Sequence, residues 1–291
     1  MTAEDRVRLQ ASIRQRLLNI AQREGADFQL VLTRYGLERF LYRLGRSPHR
    51  SAFLLKGAFL FYAWQQEVGR PTRDLDLLGH GVPDINRLTG VVAEIIAAEV
   101  DDDGLDFLSD TIEGEAIREA SLYDGIRVRL VGTLGRTRIP VQIDIGFGDA
   151  AGPHAVELAY PTLLDQDHPW ILTYRPEYVI AEKLEAMVAF GEINTRLKDY
   201  YDLWRMSRTM ELPRENLVAA LRATFLRRGT AIPGDVPPGL ADDFADPRRT
   251  FMWNAFITRN GLDAEGIFLV DVVAELRSYY WPMIVAASRA E

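Results

Sequence analysis

Two aspartates on one predicted strand, downstream of a glycine turn, constrain this 291-residue chain more than any other feature. The run Asp74-Leu75-Asp76-Leu77 alternates polar and apolar residues, which predicts a strand with both carboxylates on one face, roughly 6.5–7 Å apart along it. Carboxylates that close repel each other and are costly to desolvate unless a cation lies between them. Upstream, Lys56-Gly57-Ala58 forms a small-residue turn whose backbone N–H groups can approach a phosphate.

A third acid, Asp144, lies near the end of another apolar strand, between Ile143 and Ile145. Burying an isolated carboxylate is costly, so this one must be paired, hydrogen-bonded or bound to a metal. With Asp74 and Asp76 it predicts a site for two Mg²⁺ ions, with Mn²⁺ as a substitute. The alternative is that Asp144 pairs with an arginine.

Two later segments carry further charged residues at helical spacing. Lys183 lies on the apolar side of a predicted helix, where a lysine either extends to solvent or reaches into a cleft to bind a triphosphate. Asp199 and Asp202 share a helix face at i and i+3, and Lys198 is four residues before Asp202. By spacing alone, that face is also typical of a salt-bridged surface.

Composition excludes several classes of protein. The apolar and charged fractions, 47% and 26%, are those of a soluble globular protein, and no apolar run reaches the length of a membrane span. Cysteine is absent, which excludes disulfides, thiol catalysis and cysteine-ligated zinc. With no secretory signal at the N-terminus, we expect a cytoplasmic protein without a membrane partner.

Arginine is concentrated near the N-terminus, where residues 1–50 hold ten arginines and five acids. Arg39, Arg43 and Arg46 form one stripe of a predicted helix, which is either a solvated face or a contact for polynucleotide phosphates. The acidic run at 101–103 is predicted to be a solvated turn.

The periodicity of the apolar residues changes along the chain, from a mixture of helical and strand patterns to helical patterns alone. Helices are predicted at 6–24, 28–44, 54–66 and 85–99, and strands at 74–78, 105–112, 125–133 and 137–145, the last two joined by a hairpin at 134–136. Helices then follow at 177–190, 195–208, 213–227, 248–259 and 263–288. We therefore expect an α+β fold with three parts: N-terminal helices (1–50), a core (51–170) and a helical C-terminal domain (171–291).

Taken together, these segments resemble the AbiEii/AbiGii-type nucleotidyltransferase toxins, which include the MenT group. The matching pieces are Leu55-Lys56-Gly57-Ala58, Arg70-Pro71-Thr72-Arg73-Asp74-Leu75-Asp76-Leu77, Asp144-Ile145-Gly146, Ala181-Glu182-Lys183-Leu184 and Arg196-Leu197-Lys198-Asp199-Tyr200-Tyr201-Asp202-Leu203. The resemblance implies a DNA polymerase β-like nucleotidyltransferase core with a mixed sheet, followed by a helical domain. One departure is Ala58, where the wider pattern has serine.

The resemblance also implies an activity: Mg²⁺-dependent transfer of a nucleoside monophosphate from an NTP to RNA. In MenT-like members the acceptor is tRNA, and translation is blocked; a cognate antitoxin is the expected protein partner. Asp74, Asp76 and Asp144 would bind metal. Lys183 and Asp202 would join them as catalytic residues, and the nucleotide would be bound by Lys56, Gly57, Thr72, Lys198 and Asp199. Thr72 matches a hydroxyl that is phosphorylated in some relatives.

Two alternatives stay open at this point. A nucleotidyltransferase fold that has lost turnover would bind a nucleotide without releasing pyrophosphate. A different DxD metal enzyme, such as a nuclease, would need the acids but neither Lys183 nor the helix around Asp199.

Overall fold

The computed structural model describes residues 2–64, 70–118, 124–151, 154–262 and 267–289. It divides into two compact units, one formed by residues 1–148 with 155–174 and the other by residues 149–154 with 175–291. The N-terminal helices belong to the same unit as the sheet, whereas the sequence suggested a separate part for residues 1–50.

Within the described ranges, the first unit contains one mixed sheet of seven strands. The strands are β1 Phe53–Lys56, β2 Leu75–Gly79, β3 Leu105–Arg118, β4 Asp124–Leu134, β5 Thr137–Phe147, β6 Val156–Ala159 and β7 Trp170–Thr173. Their order across the sheet is β3-β4-β5-β2-β1-β7-β6. The pairs β2–β5 and β1–β7 are parallel, and the others are antiparallel. The predicted α+β fold with a mixed sheet is confirmed.

Helices account for most of the remaining described chain. They are α1 Ala3–Glu24, α2 Phe28–Arg46, α3 Phe61–Trp64, α4 Ile85–Ile96, α5 Pro176–Phe190, α6 Leu197–Thr209, α7 Arg214–Arg228, α8 Pro247–Arg259 and α9 Leu269–Arg289. Several begin where the sequence offers a side-chain oxygen to the first turn, as Asp27 does for the N–H of Leu30 at the start of α2. None of the helices within these ranges is long and apolar enough to cross a bilayer.

The helix predicted at 54–66 is wrong over its first part. Phe53, Leu54 and Leu55 are buried in β1, which lies between β2 and β7, and helical turns begin only after Gly57. A strand covered on both faces is a continuous apolar run, and such a run cannot be told from a buried helix by periodicity. Strands β6 and β7 were also missed.

The core of the first unit lies between α1, α2 and one face of the sheet. Alternate residues of β5, from Ile139 to Ile145, are buried on that face. Gly36 lets α2 approach closely, because a β-carbon there would lie 2.9 Å from Ile139 Cγ2. The intervening residues of β5, among them Asp144 and Gly146, point to the opposite and more exposed face.

Neither interpretation of the arginine stripe holds for Arg39 and Arg43, which are only 1% and 6% exposed. Arg43 donates to both oxygens of Asp103, at 2.7 and 3.0 Å, and to the carbonyl of Leu105. Arg39 pairs with buried Glu38. Asp103 is therefore also buried, contrary to the solvated turn expected for 101–103. Arg43 therefore fixes α2 to the start of β3, and neither buried arginine is available to a polynucleotide.

The second unit is helical, as predicted. Its core includes the fully buried side chains of Trp253, Tyr200 and Tyr280, with Tyr280 donating its hydroxyl to the carbonyl of Leu203. A partly buried ion cluster centres on Arg228, which contacts Asp149, Glu182 and Glu185. Because three carboxylates surround one guanidinium, the pKa of Arg228 is raised despite its burial, which alone would lower it.

Candidate active site

A row of charged residues crosses the first unit on the open face of its sheet. Lys56 on β1 is the register partner of Asp76 on β2, and Asp76 is the partner of Asp144 on β5. Asp144 is in turn opposite Arg127 on β4, and Arg127 is opposite Glu115 on β3. Side chains of register partners lie on the same face of a sheet. Five strands therefore contribute one charge each, in the order positive, negative, negative, positive, negative.

The glycine turn after β1 lies directly against the second acid of the pair. Gly57 has φ of 71°, which disfavours any residue with a β-carbon. A β-carbon there would also lie 2.0 Å from Asp76 Oδ2 and 2.7 Å from its Cγ. Position 57 must therefore be glycine for two independent reasons, and its backbone forms one wall around the Asp76 carboxylate.

Lys56 extends across the neighbouring strand. A β-carbon added at Gly146 of β5 would lie 3.4 Å from Lys56 Nζ, and the same ammonium is 5.7 Å from the ring centroid of Tyr174. Since β2 lies between β1 and β5, the half-buried side chain passes over the strand that carries Asp76. Its positive charge is thereby brought to the face that bears both acids.

Asp74, immediately before β2, is held by Thr72. The Thr72 hydroxyl donates to Asp74 Oδ1 at 2.6 Å, and Thr72 is only 5% exposed. As arranged, this hydroxyl is buried and orients a carboxylate.

Asp144 is engaged on its other side by Arg127. Arg127 Nε donates to Oδ1 and Arg127 Nη2 to Oδ2, both at 2.7 Å, in a two-point contact. This hydrogen bonding raises the pKa of Arg127 above its ordinary value. Of the two possibilities left open for Asp144, the structure therefore contains the arginine pair.

The donor chemistry fits a divalent cation, although no metal cluster is assembled in the part of the chain that the structure describes. There, no three acidic or histidine side chains form a group that could hold a metal ion. Carboxylate oxygens are nevertheless the ligands that Mg²⁺ prefers, and Asp76 and Asp144 are register partners on adjacent strands. The residues suit the ion by type and by register, while Asp144 is engaged by Arg127 and Asp74 by Thr72.

The remaining site candidates lie in the second unit. Lys183 Nζ on α5 contacts Asp199 Oδ1 at 2.5 Å and Asp202 Oδ2 at 2.8 Å on α6, while Arg196 Nε contacts Asp199 Oδ2 at 2.7 Å. Burial alone would raise the pKa of Asp199, but the charges of Lys183 and Arg196 outweigh it and hold that pKa below its ordinary range. Lys198 is exposed. Asp199 and Asp202 thus fix a lysine from another helix, which the spacing alone did not reveal.

Sequence reasoning missed Arg127 and Glu115. A signal was present, because the hairpin predicted at 134–136 fixes the register between its two strands. Leu134 is opposite Thr137, and counting seven residues outward along each strand brings Arg127 opposite Asp144.

Comparison with known proteins found one family model and several solved structures that are similar to this chain. Residues 39–265 match the family model described as "Nucleotidyl transferase AbiEii toxin, Type IV TA system". MenT4, a nucleotidyltransferase toxin from Mycobacterium tuberculosis H37Rv, is similar in structure with a TM-score of 0.51 at 18% identity, over 96% of this chain and 97% of MenT4. A candidate nucleotidyltransferase from H. pylori gives a TM-score of 0.45 at 17% identity, over 89% and 97% of the two chains. No curated protein is significantly similar in sequence.

The family model and the fold therefore define a nucleotidyltransferase. The chain belongs to the AbiEii nucleotidyltransferase toxin family of type IV toxin–antitoxin systems. Membership of that family implies a nucleotide substrate and an antitoxin partner.

Proposed function

We propose that this enzyme transfers a nucleoside monophosphate from an NTP to the 3′ end of tRNA, that the reaction requires Mg²⁺, and that it blocks translation. The observation that supports this proposal most directly is the alignment of Lys56, Asp76 and Asp144 across three adjacent strands. Two carboxylates beside a lysine suit a triphosphate accompanied by divalent cations. The tRNA acceptor comes from the resemblance to the MenT group.

Nucleotidyl transfer requires little covalent chemistry from the protein, so the rate depends on positioning of the substrates and neutralisation of their charge. A bound divalent cation would neutralise the triphosphate and activate the attacking 3′-hydroxyl. Asp74, Asp76 and Asp144 would hold that cation, with Asp74 oriented by Thr72 and Asp76 confined by Gly57. Lys56 would place its ammonium beside the phosphates.

Lys183 is our candidate for a second triphosphate contact, with Asp199 and Asp202 fixing its ammonium. We also keep Lys198 as a candidate nucleotide contact, because its side chain is exposed. The test is Lys183→Arg, which keeps the charge but replaces a compact ammonium with a planar fork. We expect the variant to remain folded, with a raised KM for the NTP; an unchanged KM would remove Lys183 from the site.

Asp76→Asn is the decisive variant for the activity. Purified protein is incubated with each labelled NTP and total RNA, with Mg²⁺ or with a chelator. We expect labelled RNA from one or more NTPs, no product with the chelator, and at least a ~100-fold loss in Asp76→Asn, because a proposed metal ligand is removed. Asp110→Asn, an exposed acid on β3, is the matched control. Full activity in Asp76→Asn would refute the assignment.

The product separates this proposal from its alternatives. A tRNA extended at its 3′ end, with pyrophosphate released, supports nucleotidyl transfer. Shortened RNA would instead indicate a nuclease. Binding of nucleotide without release of pyrophosphate would indicate a nucleotidyltransferase fold that has lost turnover. Induced expression should arrest growth and protein synthesis with wild type but not with Asp76→Asn.

A further inference from the structure

The contact between Arg127 and Asp144 carries an inference beyond the assignment above, although it rests on the proposed metal-dependent reaction. Both oxygens of Asp144 accept hydrogen bonds from a guanidinium on β4. The opposite neighbour of Asp144 is Asp76 on β2. Asp144, which should share a cation with Asp76 on β2, is thus hydrogen-bonded on its other side, to β4.

A divalent cation and this guanidinium would compete for the same lone pairs. A planar carboxylate that accepts two parallel N–H bonds has its two best-placed lone pairs occupied by the arginine fork. Each oxygen keeps one further lone pair. Coordination of a metal through the better-placed pair requires one of those hydrogen bonds to break, and coordination through the other pair places the cation beside the positive charge of Arg127.

Release of Arg127 would not leave a buried charge without a partner. Arg127 Nη1 is already 3.9 Å from Glu115 Oε1, and the side chains of Arg127 and Glu115 are 27% and 52% exposed. Glu115 is further held by Arg129, whose Nη2 is 2.9 Å from the same oxygen. Because solvent and a second carboxylate are within reach, exchange of the guanidinium from Asp144 to Glu115 costs far less than breaking a buried pair.

We propose that Arg127 is a positioning residue that occupies Asp144 in the absence of metal and gives it up when a divalent cation binds. Arg127 thereby lowers the affinity of the nucleotide-free protein for the ion. It is held next to the metal ligands without itself being one. Lys56 approaches the two acids from β1, whereas Arg127 holds Asp144 from β4.

The experiment measures metal binding directly, without substrate. Mn²⁺ is titrated into nucleotide-free protein and free ion is followed by electron paramagnetic resonance, with Mg²⁺ followed by calorimetry. Arg127→Gln should bind Mn²⁺ about tenfold more tightly than wild type or better, because a competing unit charge is removed from the ligand. Arg138→Gln, which removes one positive charge from an exposed position of β5, is the matched control and should bind as wild type does.

Two further measurements keep the inference testable if Arg127→Gln folds poorly. Arg127→Lys keeps the positive charge but loses the two-point contact of the guanidinium, so its Mn²⁺ affinity should lie between those of wild type and Arg127→Gln. In wild type itself, the Arg127 Nε–H resonance, assigned by its loss in Arg127→Lys, should shift when Mg²⁺ is added. Unchanged Mn²⁺ affinity in both variants, or a resonance that does not respond to saturating Mg²⁺, would overturn the proposal.

Failure of this inference differs from failure of the proposed function. If Asp76→Asn transfers nucleotide as well as wild type, the proposed function is wrong, while the Mn²⁺ titrations still decide the role of Arg127. If transfer requires Asp76 but the Arg127 variants bind Mn²⁺ as wild type does, the function stands and the positioning role is refuted.

Discussion

Gly57 and Asp76 approach each other so closely that a β-carbon on the glycine would lie 2.0 Å from Asp76 Oδ2. The turn after β1 and the second acid of β2 therefore form one structural unit, although 19 positions separate them in the sequence. The glycine that suggested a phosphate turn has this second role of confining a carboxylate.

Gly57→Ala should therefore damage catalysis more than stability. The new methyl group must displace the Asp76 carboxylate, and misplacing a catalytic group by about 1 Å can cost about 100-fold in rate. Gly25→Ala is the matched control, since Gly25 also has positive φ, 62°, but no heavy atom within 4 Å of its β-carbon position. Both variants incur a backbone cost of about 1–2 kcal/mol. Transfer assays and urea unfolding would test this, and equal activity of the two variants would contradict it.

Thr72→Val should lower the transfer rate about 10- to 100-fold with little change in overall folding. The Thr72 hydroxyl fixes one rotamer of Asp74 by donating to Oδ1, and valine keeps the shape but removes the donor. Thr72→Ser keeps the hydroxyl and should retain most activity. Measuring kcat for wild type and the two variants checks the prediction. Comparable kcat values for Thr72→Val and Thr72→Ser would show that orientation of Asp74 by Thr72 is unimportant.

Much of the architecture around these acids follows from sequence pattern. The alternation in Asp74-Leu75-Asp76-Leu77 correctly predicted β2, and the hairpin at Gly135 correctly predicted the pairing of β4 with β5. Both are local signals, carried by side-chain alternation and by turn residues over a few positions.

What the sequence did not reveal depends on contacts between distant segments. Strand β1 was taken for a helix because burial on both faces removes the alternation that identifies a strand. Arg43 and Asp103 are 60 residues apart, and each alone looks like a solvated surface charge. The clash that forbids a side chain at Gly57 exists only once β1 and β2 are paired.

Because the pKa of Asp199 is lowered in the folded state, the free energy of unfolding should fall at acidic pH. A carboxyl whose pKa is lower in the folded state stabilises the fold above its unfolded pKa, and this contribution is lost as pH falls below it. The stability difference between wild type and Asp199→Asn should therefore be constant from neutral pH down to about 5 and shrink progressively as pH falls through the unfolded value of 3.8. Urea unfolding across this range tests it, with exposed Asp235→Asn as the control. A difference that grows on acidification would be inconsistent with this sign.

Arg43→Met should destabilise the first unit by about 3–5 kcal/mol, because it leaves the Asp103 carboxylate buried without its cation. The side chains of Arg43 and Asp103 are 7% and 4% exposed, so water cannot replace the lost partner. Arg46→Met, on the same helix but with a side chain 57% exposed, should change stability by no more than about 0.5 kcal/mol. Urea midpoints of the two variants make the comparison. If Arg46→Met were the more damaging, the arginine stripe would be anchored through its exposed end, and the buried pair would not be what holds α2 to the sheet.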